Sequence, residues 1–368
     1  YGFTNWVGDV SADESAFHRY VLTAKRTPGP NLEENWGFAA LYAPAYADAS
    51  TSFYQTLVIL NNGATGFNVY TGVATDYPDR NLEIVPKLPY PDVAPVTAQG
   101  EWTPKAELVR WMAQFFERHG AEFLACSTAR PAAWGYSLSQ ARLAAWSPAG
   151  DSSAAQHGLH LSEFQRQMRA LHLDYGLVNL ETASLDELLA YPFLYAAGGD
   201  RMAAAAQRNL AEYARRGGNL TLIGALPELD ENNQSCTLLH EAREFLRTVP
   251  EVDAASQLTG LPRAILLEGQ ADLWLRSHPD RDLLDLVGNW DRTGGDNDGQ
   301  GVVVDHLQPQ PARLLRPHPR QMPAQGRGQH RAGPFVVGQP RPVGRADLPE
   351  PRATLLHDVG DPELAADF

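Results

Sequence analysis

Short apolar runs alternate with amphipathic segments along the first two thirds of the chain, a pattern typical of layered α/β proteins. Within residues 1–145, the apolar run Gly66–Gly72 is bounded by glycines and predicts a buried strand. Lys105–Arg118 carries apolar side chains at helical spacing and predicts an amphipathic helix. Thr56–Leu60 ends at an Asn-Asn-Gly turn, so it either closes a helix or forms a strand. This first region is therefore predicted to be an α/β layer.

The alternation is plainer between residues 155 and 250, where strands and helices follow each other in turn. The predicted helices are Phe164–Leu171, Leu185–Leu189 and Arg201–Arg216, and the predicted strands are Tyr175–Leu180, Phe193–Ala197 and Asn219–Ile223. Gly217 and Gly218 close the longest helix as a C-terminal stop. Because helices connect successive strands, we predict a parallel sheet with right-handed crossovers, as in flavodoxin-like or amidotransferase-like domains.

The pattern changes after residue 250. Residues 251–295 begin a β-rich segment, with a short predicted strand at Ala271–Ser277. Residues 296–368 contain eleven prolines and no Ile, Tyr, Trp or Lys, and residues 306–345 contain seven arginines and no acidic side chain. The whole chain has 27 arginines and three lysines, a bias that GC-rich genes produce.

GC-rich codons read out of frame give Pro, Arg, Gly and Ala, the residues that dominate this last stretch. We therefore interpret residues 296–368 as a frameshifted tail without a fold. A disordered Pro/Arg-rich linker is the first alternative. A basic RNA-binding tail is the second, although no aromatic residues are interleaved through it for base stacking.

Composition narrows the classes of function. A chain of 368 residues exceeds one ordinary core, and a hydrophobic content of 43% is ample for two domains. The net charge of −14 argues against a nucleic-acid partner, and the apolar runs are too short to predict a membrane span. Cys126 and Cys236 can form neither a disulfide framework nor a four-cysteine zinc site. The sequence implies no metal or organic cofactor and leaves the compartment open, with the cytoplasm slightly favoured.

The sharpest local feature is the segment Pro28–Gly37, in which two adjacent carboxylates precede an aromatic residue. On a strand, Glu33 and Glu34 point to opposite faces, so only one of them can face a barrel interior. A carboxylate at the C-terminal end of a barrel strand is how a retaining glycosidase presents its nucleophile. Trp6 and Trp36 would then stack on the apolar face of a sugar. The alternative interpretation is an acidic loop with a buried tryptophan.

Three further segments carry a family resemblance. Tyr90–Lys105 resembles the segment after the last barrel strand in glycoside hydrolase family 35 β-galactosidases. Gly63–Gly72 looks like the eighth strand of that family, and Gly2–Trp6 looks like the end of its sixth. The resemblance implies that residues 1–145 form the last strands of a (β/α)8 TIM barrel. It also implies a β-galactoside or oligosaccharide substrate, with retaining hydrolysis of terminal β-D-galactosides.

The same resemblance assigns roles to residues. Glu33 falls where the seventh strand of the family carries the nucleophile, and Glu34 is the alternative because the sequence leaves the register open. The residues that would bind the sugar are Trp6, Asn35, Trp36 and Tyr70. The family signature after the eighth strand, His-Gly-Gly-Thr-Asn-Phe-Gly, is reduced here to Tyr70–Thr75, which puts substrate recognition in doubt.

The acid/base residue of the family follows an Asn at the end of the fourth strand, whereas this sequence begins near the sixth. We therefore expect a galactosidase fragment that is poorly active or inactive alone. The carboxylates that follow the eighth strand lack the family's context; they are Asp76, Asp79, Glu83 and Glu101.

A second resemblance covers residues 155–250. Parts of this region are similar to the amidotransferase-like domain that supports trimer assembly in family 42 β-galactosidases: Tyr191–Asp200, Gln207–Gly218 and Leu226–Asp230. It implies a homotrimer formed through this domain. Gly198 and Gly199 precede a helix, but without a G-x-G-x-x-G sequence they predict no nucleotide site. Two other functions stay open: a non-catalytic carbohydrate-binding or assembly module, and an amidotransferase-like regulator that would need a reactive Cys236.

Overall fold

A computed structural model describes residues 2–6, 8–27, 29–75, 91–146 and 152–261, and the strand segments 265–268, 271–277, 282–288, 303–305, 335–336 and 355–358. The α-helices are α1 (Glu14–Arg26), α2 (Ala49–Asn61), α3 (Pro104–Ala125), α4 (Leu138–Trp146), α5 (Ser152–Ala170), α6 (Leu185–Leu189), α7 (Ala204–Arg215), α8 (Leu238–Glu241) and α9 (Ala254–Leu258). The strands are β1 (Gly29–Asn35), β2 (Ala64–Tyr70), β3 (Ser127–Thr128), β4 (Ala132–Tyr136), β5 (Tyr175–Asn179), β6 (Phe193–Ala197), β7 (Asn219–Ile223), β8 (Leu246–Val249), β9 (Ile265–Glu268), β10 (Ala271–Ser277), β11 (Asp282–Gly288), β12 (Val303–Asp305), β13 (Phe335–Val336) and β14 (Leu355–Asp358).

The elements from α1 to α3, with β1 and β2, are here called the first unit. This unit is built on parallel extended segments. β1 and β2 pair in parallel, and Phe3 makes a parallel bridge to Asn31 of β1. α1 leads into β1, and α2 connects β1 to β2, so helices and parallel strands alternate as in the last part of a (β/α)8 barrel. The segment Thr56–Leu60 is helical because it belongs to α2. The predicted helix Lys105–Arg118 lies within the longer α3.

α1 and α2 form the helix layer behind this strand pair. Asp13 caps the N-terminus of α1: its carboxylate accepts a hydrogen bond from the Ser15 backbone N–H at 2.9 Å. The Asp48 carboxylate caps α2 in the same way through the Ser50 N–H at 2.8 Å. Eleven of the 13 residues of α2 are buried, because it packs on α1, α3 and both strands. Burial on almost all sides suits a helix in this central position.

The second unit is a five-stranded parallel sheet in the order β5-β4-β6-β7-β8. This is the flavodoxin-like strand order, with the order of connection reversing at β4. β6, β7 and α6 have the bounds that the sequence predicts, and α5, β5 and α7 overlap their predictions. β4 lies inside this sheet although it precedes residue 145. The predicted α/β fold class, a partial barrel followed by a flavodoxin-like domain, is confirmed.

Gly198 follows β6 at a place where a side chain has no room. Its N–H donates to the Ile223 carbonyl at 2.7 Å, and a Cβ on Gly198 would lie 2.2 Å from the Ala225 carbonyl oxygen. Because backbone atoms would have to move, we expect Gly198→Ala to lower the free energy of unfolding by about 1–3 kcal/mol. The matched control is Gly158→Ala in α5, where a Cβ would meet nothing within 4 Å.

The control variant should be neutral or more stable by about 0.5–1 kcal/mol, since alanine favours a helix interior over glycine. Denaturant unfolding followed by circular dichroism measures both variants. Equal stability of Gly198→Ala and the wild type would contradict the expected clash.

One apolar core joins the two units. Phe17 of α1 and Phe53 of α2 belong to the same buried cluster as Phe164 of α5 and Tyr195 of β6. A second cluster, which includes Leu210 of α7, covers the opposite face of the sheet. The helix layer of the first unit therefore packs directly against the second unit.

The later strands are antiparallel. β10 pairs with β11 and with β3, and it has the predicted bounds Ala271–Ser277. Residues 296–368, for which no fold is predicted, contribute the short strands β12, β13 and β14. The rest of that stretch lies outside the described residues. Across the parts of the chain that the structure describes, no helix is long and apolar enough to cross a membrane.

Candidate active site

The two adjacent carboxylates near the end of β1 have opposite environments. Glu34 is 0% exposed and faces the helix layer, where the Tyr20 hydroxyl and the Gln55 amide each donate to it at 2.5 Å. The Asn31 amide donates to the same carboxylate at 2.6 Å. The buried Glu34 carboxyl therefore links β1 to α1 and α2 through hydrogen bonds.

Burial raises the pKa of Glu34 to about 7, although the three hydrogen-bond donors oppose the rise. The folded protein thus holds this proton more tightly than the unfolded chain, where the ordinary value is 4.5. The stability that this group contributes is fully present below pH 4.5 and is lost as the pH rises through about 7.

Relative to a Glu34→Gln variant, the free energy of unfolding of the wild type is expected to fall by up to about 3 kcal/mol over that pH range. Denaturant unfolding of both proteins at matched pH values measures the difference. All other titrating groups are common to both proteins, so a difference that does not vary with pH would contradict the assignment.

Glu33 lies on the other side of β1 and is partly exposed. Its Oε2 accepts a hydrogen bond from the Trp6 indole Nε1 at 2.9 Å, and its backbone N–H donates to the Asn31 side chain at 3.2 Å. The pairing of β1 with β2 is irregular between Asn31 and Glu34, and such an irregularity re-aims side chains. As a result Asn31 and Glu34 share the buried side, and Glu33 is the accessible carboxylate near the C-terminal end of the strand.

Four aromatic rings gather beside Glu33: Trp6, Phe38, Tyr42 and Tyr70, here called the aromatic cluster. Trp6 stacks on Tyr42 with ring centroids 4.2 Å apart. It meets Phe38 and Tyr70 edge-on, with centroid distances of 5.9 and 5.7 Å. Tyr42 is 39% exposed, so the cluster borders solvent. The structure therefore brings Trp6 and Tyr70 to Glu33, and it adds Phe38 and Tyr42 from the loop after β1.

The side chains of Asn35 and Trp36 are buried beneath the loop after β1 rather than exposed beside Glu33. Trp36 is 0% exposed, and its indole N–H donates to the Thr56 hydroxyl of α2 at 3.1 Å. The Asn35 amide donates to the Phe38 carbonyl at 2.9 Å and accepts from the Phe38 N–H at 3.0 Å. Both side chains are buried, and the expectation that these two residues bind substrate stays a prediction. They shape the loop after β1.

Two residues of the segment that follows β2 form hydrogen bonds with the loop after β1. The Asp92 carboxylate accepts from the backbone N–H groups of Ala39 at 3.1 Å and Ala40 at 2.9 Å. The buried Lys105 ammonium donates to the Trp36 carbonyl at 2.7 Å, and burial lowers its pKa to about 7. Both residues belong to the segment that resembles a glycosidase motif, which was the available signal for them.

Of the four carboxylates that follow the eighth-strand segment in sequence, the structure describes only Glu101. Asp76, Asp79 and Glu83 lie outside the described residues. Glu101 is exposed on a turn, where its N–H donates to the Thr97 hydroxyl at 3.1 Å. Among the residues whose placement is described, no three His, Cys, Asp or Glu side chains come together as metal ligands.

The carboxyl ends of the parallel strands in the second unit are filled by the protein itself. The Glu181 carboxylate accepts from the Ser137 hydroxyl at 2.5 Å and from the Ser139 backbone N–H at 2.8 Å, at the start of α4. The N–H groups of Gly198 and Gly199 donate to backbone carbonyls at 2.7 and 2.9 Å. These groups are thus engaged within the protein rather than directed at an anion. Cys236 is partly buried on a separate turn.

Comparison with known proteins relates the chain to carbohydrate-active enzymes. The family described as GLMA-like, second domain, matches residues 144–262. An exo-β-D-glucosaminidase of Pyrococcus horikoshii is 24% identical over an alignment of 284 residues, and the match covers 71% of this chain and 35% of that protein. A second, from Thermococcus kodakarensis, is 27% identical over 250 residues, 66% of this chain and 30% of that protein. The chain thus spans about a third of the length of these curated relatives.

Comparison with solved structures finds proteins of similar fold. Gan42B, a family 42 β-galactosidase from G. stearothermophilus, matches with a TM-score of 0.55 and 8% identity, over 82% of this chain and 53% of that chain. A catalytic mutant of the same enzyme matches with a TM-score of 0.56. At this identity the likeness concerns the fold alone.

These matches define the chain as glycoside hydrolase-like. Two of its sequence relatives are named exo-β-D-glucosaminidases, and its fold is similar to that of part of a family 42 β-galactosidase. This agrees with the family 42 resemblance of the second unit. The resemblance of the first unit to family 35 is not supported by these comparisons.

Proposed function

We propose that this chain carries the nucleophile of a retaining glycoside hydrolase that removes terminal β-linked sugar residues. The observation that carries the proposal is the contrast at the end of β1. Glu33 is accessible, accepts a hydrogen bond from Trp6 and adjoins the aromatic cluster, whereas Glu34 is enclosed by hydrogen-bond donors. An accessible carboxylate near the C-terminal end of a barrel strand is the position from which retaining glycosidases act.

In the proposed reaction, Glu33 attacks the anomeric carbon, and a glycosyl ester of its carboxylate forms as the bond to the leaving oxygen breaks. A second carboxyl group, about 5 Å away, protonates that oxygen and then activates the water that hydrolyses the ester. We expect this second group from an earlier strand of the barrel. The exposed rings beside Glu33 suit the apolar face of a sugar.

The sugar is proposed to be a β-D-galactoside or a β-D-glucosaminide. The similarity in fold to a family 42 β-galactosidase favours the first, and the names of the sequence relatives favour the second. Chromogenic aryl β-D-galactoside and β-D-glucosaminide, assayed side by side, separate the two by their kcat/KM values.

The experiment that tests the nucleophile uses the full-length protein. It is incubated with 2-deoxy-2-fluoro-β-D-galactosyl and glucosyl compounds that carry a good leaving group. The fluorine slows both the formation and the hydrolysis of the glycosyl ester. The good leaving group restores the rate of formation, so the ester accumulates. Peptide mapping by mass spectrometry is expected to place the sugar on Glu33 in the wild type and in Glu34→Gln. A label on another residue, or a hydrolysis product of inverted configuration, would overturn the proposal.

A non-catalytic carbohydrate-binding module is the second candidate, and the exposure of Tyr42 within the aromatic cluster favours it. Sugar binding seen as a change in tryptophan fluorescence, without any turnover or label, would identify that function.

A further inference from the structure

Trp6 contacts each of the other three rings of the aromatic cluster. Tyr42 covers one face of the indole, with an angle of 24° between the ring planes. Phe38 and Tyr70 meet it in edge contacts, at interplanar angles of 68° and 82°. Its single polar atom, Nε1, donates to Oε2 of Glu33 at 2.9 Å. The ring is therefore fixed on several sides and directs its N–H at one oxygen of the carboxylate.

We propose that Trp6 is a positioning residue for Glu33 rather than a stacking platform for the sugar. This inference rests on the proposed function, because it assumes that Glu33 is the nucleophile. A glutamate side chain has three rotatable bonds, and the indole N–H fixes one of its two oxygens. The other oxygen, Oε1, is then presented for attack. Holding a reacting atom to within a fraction of an ångström is worth on the order of 10²-fold in rate.

The two roles of Trp6 predict different kinetics. A platform binds substrate and transition state alike, so its loss raises KM and leaves kcat unchanged. A positioning residue acts on the carboxylate, so its loss lowers kcat with little change in KM.

The kinetic test is Trp6→Phe in the full-length protein, since phenylalanine keeps an aromatic ring and lacks the N–H. We expect kcat to fall by about 10- to 100-fold and KM to change by less than about twofold. The matched control is Trp102→Phe, because Trp102 is 59% exposed and lies over Arg110, away from the cluster. A raised KM with unchanged kcat would overturn the inference.

A second measurement does not depend on the folding of Trp6→Phe. The chain has eight tryptophans, and labelling with ¹⁵N-tryptophan gives one indole N–H signal for each in a nuclear magnetic resonance spectrum. Glu33→Gln is expected to move one of these signals by far the most, and Trp6→Phe, where it folds, removes that same signal. A spectrum in which Glu33→Gln moves no indole signal would also overturn the inference.

The outcomes separate this inference from the proposed function. Failure of the fluorosugar to label Glu33 rejects the proposed function, whatever Trp6 does. Labelling of Glu33 at the wild-type rate in Trp6→Phe, with unchanged kcat, rejects the positioning role alone.

Discussion

Glu33→Ala is expected to reduce kcat of the full-length protein by on the order of 10⁴-fold or more. Removal of a covalent nucleophile leaves only substrate binding and acid catalysis at the site. Glu34→Gln should keep most of its activity, because Glu34 meets Tyr20 and Gln55 in the helix layer and has no exposed surface. Steady-state kinetics on an aryl β-glycoside compares the two variants directly.

Added azide makes this comparison specific. In Glu33→Ala the deleted carboxylate leaves space on the α face of the sugar, and azide attacks the anomeric carbon there as the aryl oxygen departs. The product is an α-glycosyl azide, formed with one inversion, and nuclear magnetic resonance identifies it. Recovery of activity by azide in a Glu34→Ala variant instead would assign the nucleophile to Glu34 and reject the proposal.

The choice between these two glutamates shows what a local pattern can and cannot predict. Strand geometry predicts that neighbours face opposite sides, and the structure agrees for Glu33 and Glu34. Which side each one takes depends on the irregular pairing after Asn31 and on donors from helices 14 and 21 residues away in sequence. Neither feature has a local signature, so the register could not be predicted from the segment itself.

The aromatic residues show the same limit. Trp36 precedes a glycine beside two carboxylates, a setting that suits a sugar platform as well as a buried ring. The Thr56 hydroxyl, which holds its indole N–H, comes from α2. Tyr42 lies on a loop without periodicity, and only folding brings it onto Trp6. Residue type predicted aromatic contacts near Glu33, whereas tertiary packing decided which rings make them.

The strands of the second unit divide in a similar way. β6 and β7 could be bounded from the sequence because each is an apolar run between turn-forming residues. β4, with the sequence Ala-Ala-Trp-Gly-Tyr, is short and carries a glycine, so its pattern is weak. It is a strand because it packs between β5 and β6, where a Cβ on Gly135 would lie 2.4 Å from the Leu180 side chain.

The second large effect is expected at Asp174, which joins the two units. Its side chain is 6% exposed and accepts hydrogen bonds from Lys25 of α1, from Arg130 at 2.8 Å and from the Thr128 hydroxyl at 2.7 Å. Lys25 is 2% exposed and therefore has no water to replace its partner, whereas Arg130 is 38% exposed. Removing the carboxylate alone leaves the buried Lys25 ammonium group without its ion-pair partner.

Asp174→Asn is expected to lower the free energy of unfolding by about 3–5 kcal/mol, the cost of breaking a buried ion pair from one side. The double variant Lys25→Met/Asp174→Leu should recover most of that loss, because it removes both charges and keeps apolar volume. The control is Glu212→Gln, which removes an exposed helical pair with Arg216 and should change stability by about 0.5 kcal/mol or less. Denaturant unfolding followed by tryptophan fluorescence measures all three.

The pH dependence of the same variants identifies the ion pair as the cause. Burial alone would raise the pKa of Asp174, but Lys25 and Arg130 beside it lower the pKa to about 2. The stability from this carboxylate is therefore present above its ordinary value of 3.8 and is lost as the pH falls through about 2. The wild type should lose about 2 kcal/mol over that range relative to the double variant. The stability contributed by Glu34 changes in the opposite direction and at higher pH. A difference in free energy of unfolding between the wild type and the double variant that grew between pH 5 and 7 instead would therefore reject the assignment to Asp174.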